Sequence, residues 1–276
     1  MSYTITSTST SITLSDPSTV SIGVVKKVEN YVFADGTDSQ LDRGKSSNYI
    51  TLSGVILPEW SNETIISQHA TGIKSYNTYN DYWGGQRFQH SKDFKITKVK
   101  LKLDRDGTPS SATVSIRENL SGSDIISSTF DPLEVSETPW TEYEISFNSS
   151  HVFNKSTNCY IVFRTDGTGA SNDLDWAYDD AGEGCYTSSD GGDNWVNQSG
   201  YSFVYWVYGY EKITGFDKMQ ILNTMMDNQE TVTITGLPDN NLNSDYLIRS
   251  LNFNHIPGTI NIYRYNITLE RLHDSI

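Results

Sequence analysis

From residue 98 to 103 the chain reads Lys-Val-Lys-Leu-Lys-Leu, so Val99, Leu101 and Leu103 face one way while Lys98, Lys100 and Lys102 face the other. A period of two marks a strand with one buried face. Val114 with Ile116, then Tyr143, Ile145 and Phe147, then Cys159, Ile161 and Phe163 repeat the alternation, and Asp106-Gly107 and Asp166-Gly167 supply turns beside them. Residues 201–210 are apolar or aromatic at nearly every position, which predicts a central strand covered on both faces. Residues 49–57 also read as a strand, and the next comparable alternation outside the middle region comes only after residue 230.

After residue 211 the period changes. Phe216, Met219, Leu222 and Met226 fall at helical spacing, with Thr214 and Asp217 placed as a capping pair and Asp227-Asn228 as the stop. Strands return at 231–237, 246–253 and 260–272, where Tyr263, Tyr265, Ile267 and Leu269 alternate with polar residues.

Composition divides the chain at the same places. Residues 61–211 hold 23 of the 33 aromatic residues and five of the six tryptophans. The expectation is an all-β protein in which residues 1–60 and 212–276 form one discontinuous, strand-rich domain with one helix, interrupted by a jelly-roll-like β-sandwich at 61–211. Domain insertions succeed where their two ends lie close together on a surface, so residues 60/61 and 211/212 should be neighbours.

The formal charge of −14 disfavours nucleic acid as a partner. No run of 18 apolar residues exists, and the Ser/Thr-rich start has neither a basic nor an apolar segment, so neither membrane insertion nor a signal peptide is expected. Cys159 and Cys185 are too few for a disulfide scaffold and lack zinc spacing; two buried thiols or one bridge are both compatible with the sequence.

Two groups of segments resemble known families. Residues 85–88 (Gly-Gln-Arg-Phe), 95–99, 112–117, 159–162 and 186–195 look like the jelly-roll, carbohydrate-binding-like domains of microbial surface proteins and viral adhesins. The flanking segments, with Leu52-Ser53-Gly54-Val55-Ile56, an amphipathic helix and Pro257-Gly258 before a long last strand, resemble the ring domain of viral distal tail proteins. Together the resemblances imply a virion tail or baseplate component that forms a ring with copies of itself, joins other virion tail proteins and contacts host-surface glycan. A stand-alone microbial lectin is the alternative reading, and a glycosidase the second.

Residues 188–195 fit S-x-D-x-G-x-x-W with Asn194 where Thr or Ser is usual, which resembles the Asp-box of sialidases. Physically it reads as a turn: Asp190 accepts amides, glycines supply positive φ, and Trp195 packs beneath. A sialidase would also need clustered arginines, whereas Arg87, Arg105, Arg117 and Arg164 are dispersed along the insert. The five histidines show no metalloprotease spacing, and no nucleophile elbow or phosphate loop occurs, so no enzyme and no cofactor are expected. Asp166, Asp173, Asp175, Asp179 and Asp180 could supply oxygen ligands to a structural calcium ion, with acidic loop solvation as the alternative. Sugar rings stack on aromatic planes beside polar turns, which nominates Tyr79, Tyr82 and Trp83, in the segment that begins near Tyr76, as the glycan platform, with Trp176 and Tyr178 as a second face.

Overall fold

The computed structural model describes residues 2–8, 10–15, 19–32, 38–138, 140–166, 169, 171–237 and 242–272. The chain divides into two compact units, one of Met1–Glu59 with Ile213–Ile276 and one of Trp60–Lys212. Both are built from antiparallel strands, and a single α-helix occurs among the described residues. No helix among them is long and apolar enough to cross a membrane.

The first unit is a seven-stranded sheet in the order Ser11–Ser15, Ser2–Thr6, Thr231–Thr235, Asp245–His255, Tyr263–Arg271, Asp38–Ile56, Thr19–Val32. Tyr265, Ile267 and Leu269 alternate into its core with Tyr3, Ile5, Leu52 and Ile234. Gly54 lies under Tyr265, where an added Cβ would sit 2.7 Å from the ring hydroxyl, so the ring can cross the sheet only above a glycine. The strands Ser2–Thr6, Ser11–Ser15 and Thr19–Val32 fall in the Ser/Thr-rich region; in the first two, Tyr3 with Ile5 and Ile12 with Leu14 alternate with Ser and Thr and are buried. Two apolar residues in each of these short strands make a brief pattern, and the threonines between them, being β-branched, suit extended backbone.

The helix Gly215–Asp227 carries the Thr214/Asp217 capping box and ends at Asn228. Its buried face differs from the spacing read in the sequence: Gly215, Lys218, Leu222 and Met225 are buried, whereas Phe216 is exposed. Lys218 belongs to the buried stripe because its ammonium lies 3.0 Å from Glu59 and donates to the Thr13 carbonyl at 2.8 Å. Met225 is thereby committed to the core of this unit rather than to a partner.

The second unit is a β-sandwich. One sheet runs Ile126–Phe130, Ala112–Arg117, Cys159–Thr165, Trp83–Phe88, Cys185–Ser188, Val196–Asn197. The other is organised around Phe94–Asp106, which pairs with Thr141–Ser146, with Tyr205–Ile213 and, at its end, with Asp173–Asp179. Asp173–Asp179 pairs onward with Lys74–Thr78 and Ser202–Phe203, and Tyr205–Ile213 with Thr64–His69. The inner faces share one core, in which Phe88, Val114, Ile161 and Phe163 meet Val99, Leu101, Leu103, Trp176 and Val207. The edge contact between Phe163 and Trp176, centroids 5.8 Å apart, spans the two layers.

Phe94 and Ile96 are buried, and so are Val99, Leu101 and Leu103; the phase breaks because the pairing slips by one residue between Tyr208 and Gly209. At this bulge a Cβ on Gly209 would lie 1.9 Å from the Lys95 carbonyl oxygen. On the outer face of the same strand, Trp206 and Tyr208 are covered by Lys100 and Lys98, whose ammonium groups sit 5.7 and 5.1 Å from the ring centroids. The ends of the insert are tied together: Ser61 donates its N–H to the Glu211 carbonyl at 2.8 Å, and Glu211 returns its own to Ser61 Oγ at 2.9 Å.

Candidate functional site

Residues 75–85 and 173–180, read from the sequence as loops, are mostly strand: Lys74–Thr78, Trp83–Phe88 and Asp173–Asp179. Along Asp173–Asp179 the side chains of Leu174, Trp176 and Tyr178 point to the core side, and those of Asp173, Asp175 and Asp179 to the other. Carboxylates on the outer face gave this strand the composition of a loop. Trp176 is therefore not a ligand platform; it is fully buried, stacked on Phe203, with Nε1 donating to the Val204 carbonyl at 2.9 Å.

Tyr178 has a different position. Near its end the sandwich opens into a cleft of about 260 Å3 whose walls are Tyr76, Tyr178 and Tyr201 and whose floor is Phe203 and Cys185. Tyr76 and Tyr178 both stand edge-on to Phe203, at 5.7 and 6.3 Å, and Tyr201 stands edge-on to Tyr178 at 5.6 Å, so each ring is braced by another. Thr187 and Gln198 supply the polar edge, with Gln198 Nε2 donating to Thr187 Oγ1 at 2.9 Å. Burial pushes the Tyr76 hydroxyl up to about 12, with the Thr187 side chain partly offsetting it, so Tyr76 remains a neutral donor. Burial likewise pushes the Cys185 thiol up to about 12, which makes the floor apolar rather than nucleophilic. Cys159 and Cys185 are both buried free thiols.

Tyr79 and Tyr82 face each other across the tip of the hairpin that joins Lys74–Thr78 to Trp83–Phe88, their rings stacked at 4.6 Å and 29°. Tyr82 is 41% exposed. Trp83 is engaged by the protein itself: Nε1 donates to the Asn80 carbonyl at 2.8 Å, the Arg164 and Arg117 guanidinium carbons lie 5.1 and 5.7 Å from its ring, and an added Cβ at Gly192 would come within 2.5 Å of it. The two arginines that look dispersed in sequence converge here, both bonded at 2.7 Å to Asp124. Burial works against ionised Asp124, but Arg164 and Arg117, which bond to it, with the Ser115 hydroxyl nearby, outweigh it and hold the carboxyl down to about 2. No spacing in the sequence announces this group, because Arg117 and Arg164 become neighbours only through the pairing of Ala112–Arg117 with Cys159–Thr165.

The Asp-box folds as a turn. Asp190 accepts the Asn194 backbone N–H at 2.9 Å, the Asn194 side-chain amide at 2.6 Å and the Ser188 hydroxyl at 2.7 Å, and these bonds hold its carboxyl down to about 2. Gly191 and Gly192 take φ of 73° and 90°, and Trp195 closes the loop by donating Nε1 to the Gly192 carbonyl at 2.9 Å. Asp190 is thus occupied by its own loop.

The five aspartates named as calcium ligands do not form one set. Asp166 accepts the Ser111 hydroxyl at 2.6 Å, Asp179 lies 2.9 Å from His69, and Asp180 lies 2.6 Å from Lys74. Asp173 and Asp175 share the outer face of one strand and stand across from Asp106 and Asp104. Among the described residues no three acidic, histidine or cysteine side chains are grouped so as to hold a metal ion. Extended backbone contributes to this, since it spaces Asp173, Asp175 and Asp179 along one face at about 3.3 Å per residue.

Tyr76, Tyr178, Tyr201, Thr187 and Gln198 thus form a recess beside residues singled out in the sequence. Compared with known proteins, the chain matches no family model and no curated sequence.

Proposed function

We propose that the chain is a non-enzymatic recognition protein whose β-sandwich receives a saccharide ring in the Tyr76–Tyr178–Tyr201 cleft. The observation that carries this reading is the combination of three braced tyrosines over an apolar floor with Thr187 and Gln198 at the edge. Aromatic planes take the CH face of a pyranose while a few fixed polar groups take its hydroxyls. At about 260 Å3 the recess lies below the usual range for drug-sized ligands, which suits a terminal sugar rather than a long chain segment.

In the wider reading, the unit of residues 1–59 and 213–276 assembles as a ring in a viral tail or baseplate, and the sandwich presents its cleft to a host-surface glycan. Its support is the resemblance of the flanking segments to distal tail ring domains and of the insert to jelly-roll carbohydrate-binding-like domains. A catalytic role is not part of the proposal: the carboxyls that burial raises, Asp173 and Asp175, lie on the outer face of their sheet, whereas the cleft opens from the inner one.

Titration calorimetry of the full chain against a panel of cell-surface oligosaccharides tests the cleft. A saccharide should bind, and Tyr178→Ala and Tyr201→Ala should each weaken it by about 1–2 kcal/mol, as loss of an aromatic anchor does. No binding at millimolar concentration, or binding that both variants leave intact, defeats the reading.

A further inference from the structure

On the outer face of the sheet, away from the cleft, four carboxylates stand in two cross-strand pairs: Asp173 opposite Asp106 and Asp175 opposite Asp104. Directly opposed like charges destabilise a sheet, and the two pairs lie only about 7 Å apart along the strands. Asp173 is fully buried, and neither of its oxygens has a hydrogen-bond partner of good geometry; Asn77, the residue across from Asp175, gives it the nearest electrostatic relief. Asp175 Oδ1 is also buried without a partner, while Oδ2 accepts the Ser75 hydroxyl at 2.6 Å. Nearby cations are engaged elsewhere: Lys102 donates to the Gly72 carbonyl, Lys74 pairs with Asp180, and Arg105 holds the Val135 carbonyl and Glu137.

A buried carboxylate without a hydrogen-bond partner of good geometry, in the last pair of such a row, calls for a positive charge from outside the chain. Protonation of Asp173 would relieve one pair only. A bare metal ion does not fit, because no three of the described carboxylates are grouped for chelation. At the end of the row the strand runs from Asn77 and Thr78 into Tyr79, which stacks on the exposed Tyr82 and feels the charge of Asp173.

We propose that this face is a second binding site, for the protonated amine of an amino sugar, with the ammonium over Asp106 and Asp175, Asp173 beneath them, and the ring against Tyr82. The inference rests on the reading of the sandwich as a saccharide-binding unit and adds a cationic ligand class to it.

The test titrates the full chain, with the sugar amine protonated, against glucosamine tetramer, its N-acetylated counterpart, tetralysine and calcium chloride. Glucosamine tetramer should bind, and Asp106→Asn and Asp175→Asn should each weaken it at least about tenfold, the loss expected for one charge-assisted contact. Asp106→Asn should abolish the preference for the amino over the N-acetylated tetramer while leaving the binding of neutral saccharides in the cleft as it was, so failure here and failure of the cleft are told apart. Melting curves of the variants verify that they fold; Asp106 is exposed, so its variant keeps the test open if Asp175→Asn does not fold. Equal binding of the N-acetylated sugar, tetralysine bound as tightly as the sugar, a response to calcium alone, or no binding at millimolar concentration each overturns the proposal.

Discussion

Trp176 lies flat on Phe203, ring centroids 4.1 Å apart and planes 11° from parallel, with Phe163 edge-on from the facing sheet. The pair is the centre of the sandwich rather than a surface platform. Trp176→Ala should destabilise the protein by about 3–5 kcal/mol, the usual cost of removing a large buried ring. Urea denaturation followed through the insert measures it, and a loss below about 1 kcal/mol would contradict a core position.

Trp83 is held by Arg164, Arg117, Asn80 and the Gly192 turn. Trp83→Ala should therefore lower stability by about 1–3 kcal/mol through lost packing and cation–π contact, with the cleft-bound sugar released only slightly more easily. Calorimetry and a thermal melt on one preparation separate the two effects; unchanged melting with abolished binding would return Trp83 to the site.

Asp173 should make the protein less stable as pH rises. Burial raises its carboxyl most, Asn77 partly offsets this, and Asp175 and Asp106 push it further, to about 6 from 3.8. The folded state then binds the proton more tightly than the unfolded chain, so stability present below pH 4 is lost on passing up to about pH 6, by something on the order of 2–3 kcal/mol. Asp173→Asn should melt higher at pH 7 and show a flatter profile between pH 4 and 6. An unchanged profile would mean that Asp173 does not titrate there.

Asp124 acts with the opposite sign. Its carboxyl is held down to about 2, so the stability it contributes is present above about pH 4 and lost as pH falls towards 2. Asp124→Asn leaves the buried Arg117 and the half-buried Arg164 without their counter-charge and should cost about 2–4 kcal/mol at pH 7, less than a fully buried pair because Asp124 keeps some water. Melting of the variant at pH 7 and pH 3 checks this: the deficit should shrink at the lower pH.

Much of the secondary structure is local and was legible in order along the chain. Val99, Leu101 and Leu103 had to share a face because extended backbone alternates, Thr214 and Asp217 had to meet because a first helical turn brings them together, and Ser188 to Trp195 carry their own turn chemistry. Even the slip between Ile96 and Val99 is visible as a break in the alternation, although its cause, Gly209 against Lys95, is not. Where polar residues occupy the outer face, as in Asp173–Asp179, the same alternation was masked by composition.

The sites were decided elsewhere. Trp176 and Tyr178 are two residues apart on one strand and share one face, yet one ring is sealed beneath Phe203 and the other opens on a cleft, because the facing sheet covers the first and stops short of the second. Arg117, Asp124 and Arg164, like Asp104, Asp106, Asp173 and Asp175, become neighbours only through the register of paired strands. The sequence by itself determined the strands with clean alternation, such as residues 98–103, the capped helix and the Asp-box turn, since those depend on neighbours along the backbone. Only the tertiary structure decided which aromatic rings are covered and which carboxylates are forced together, because both depend on cross-strand pairing between segments far apart in the chain.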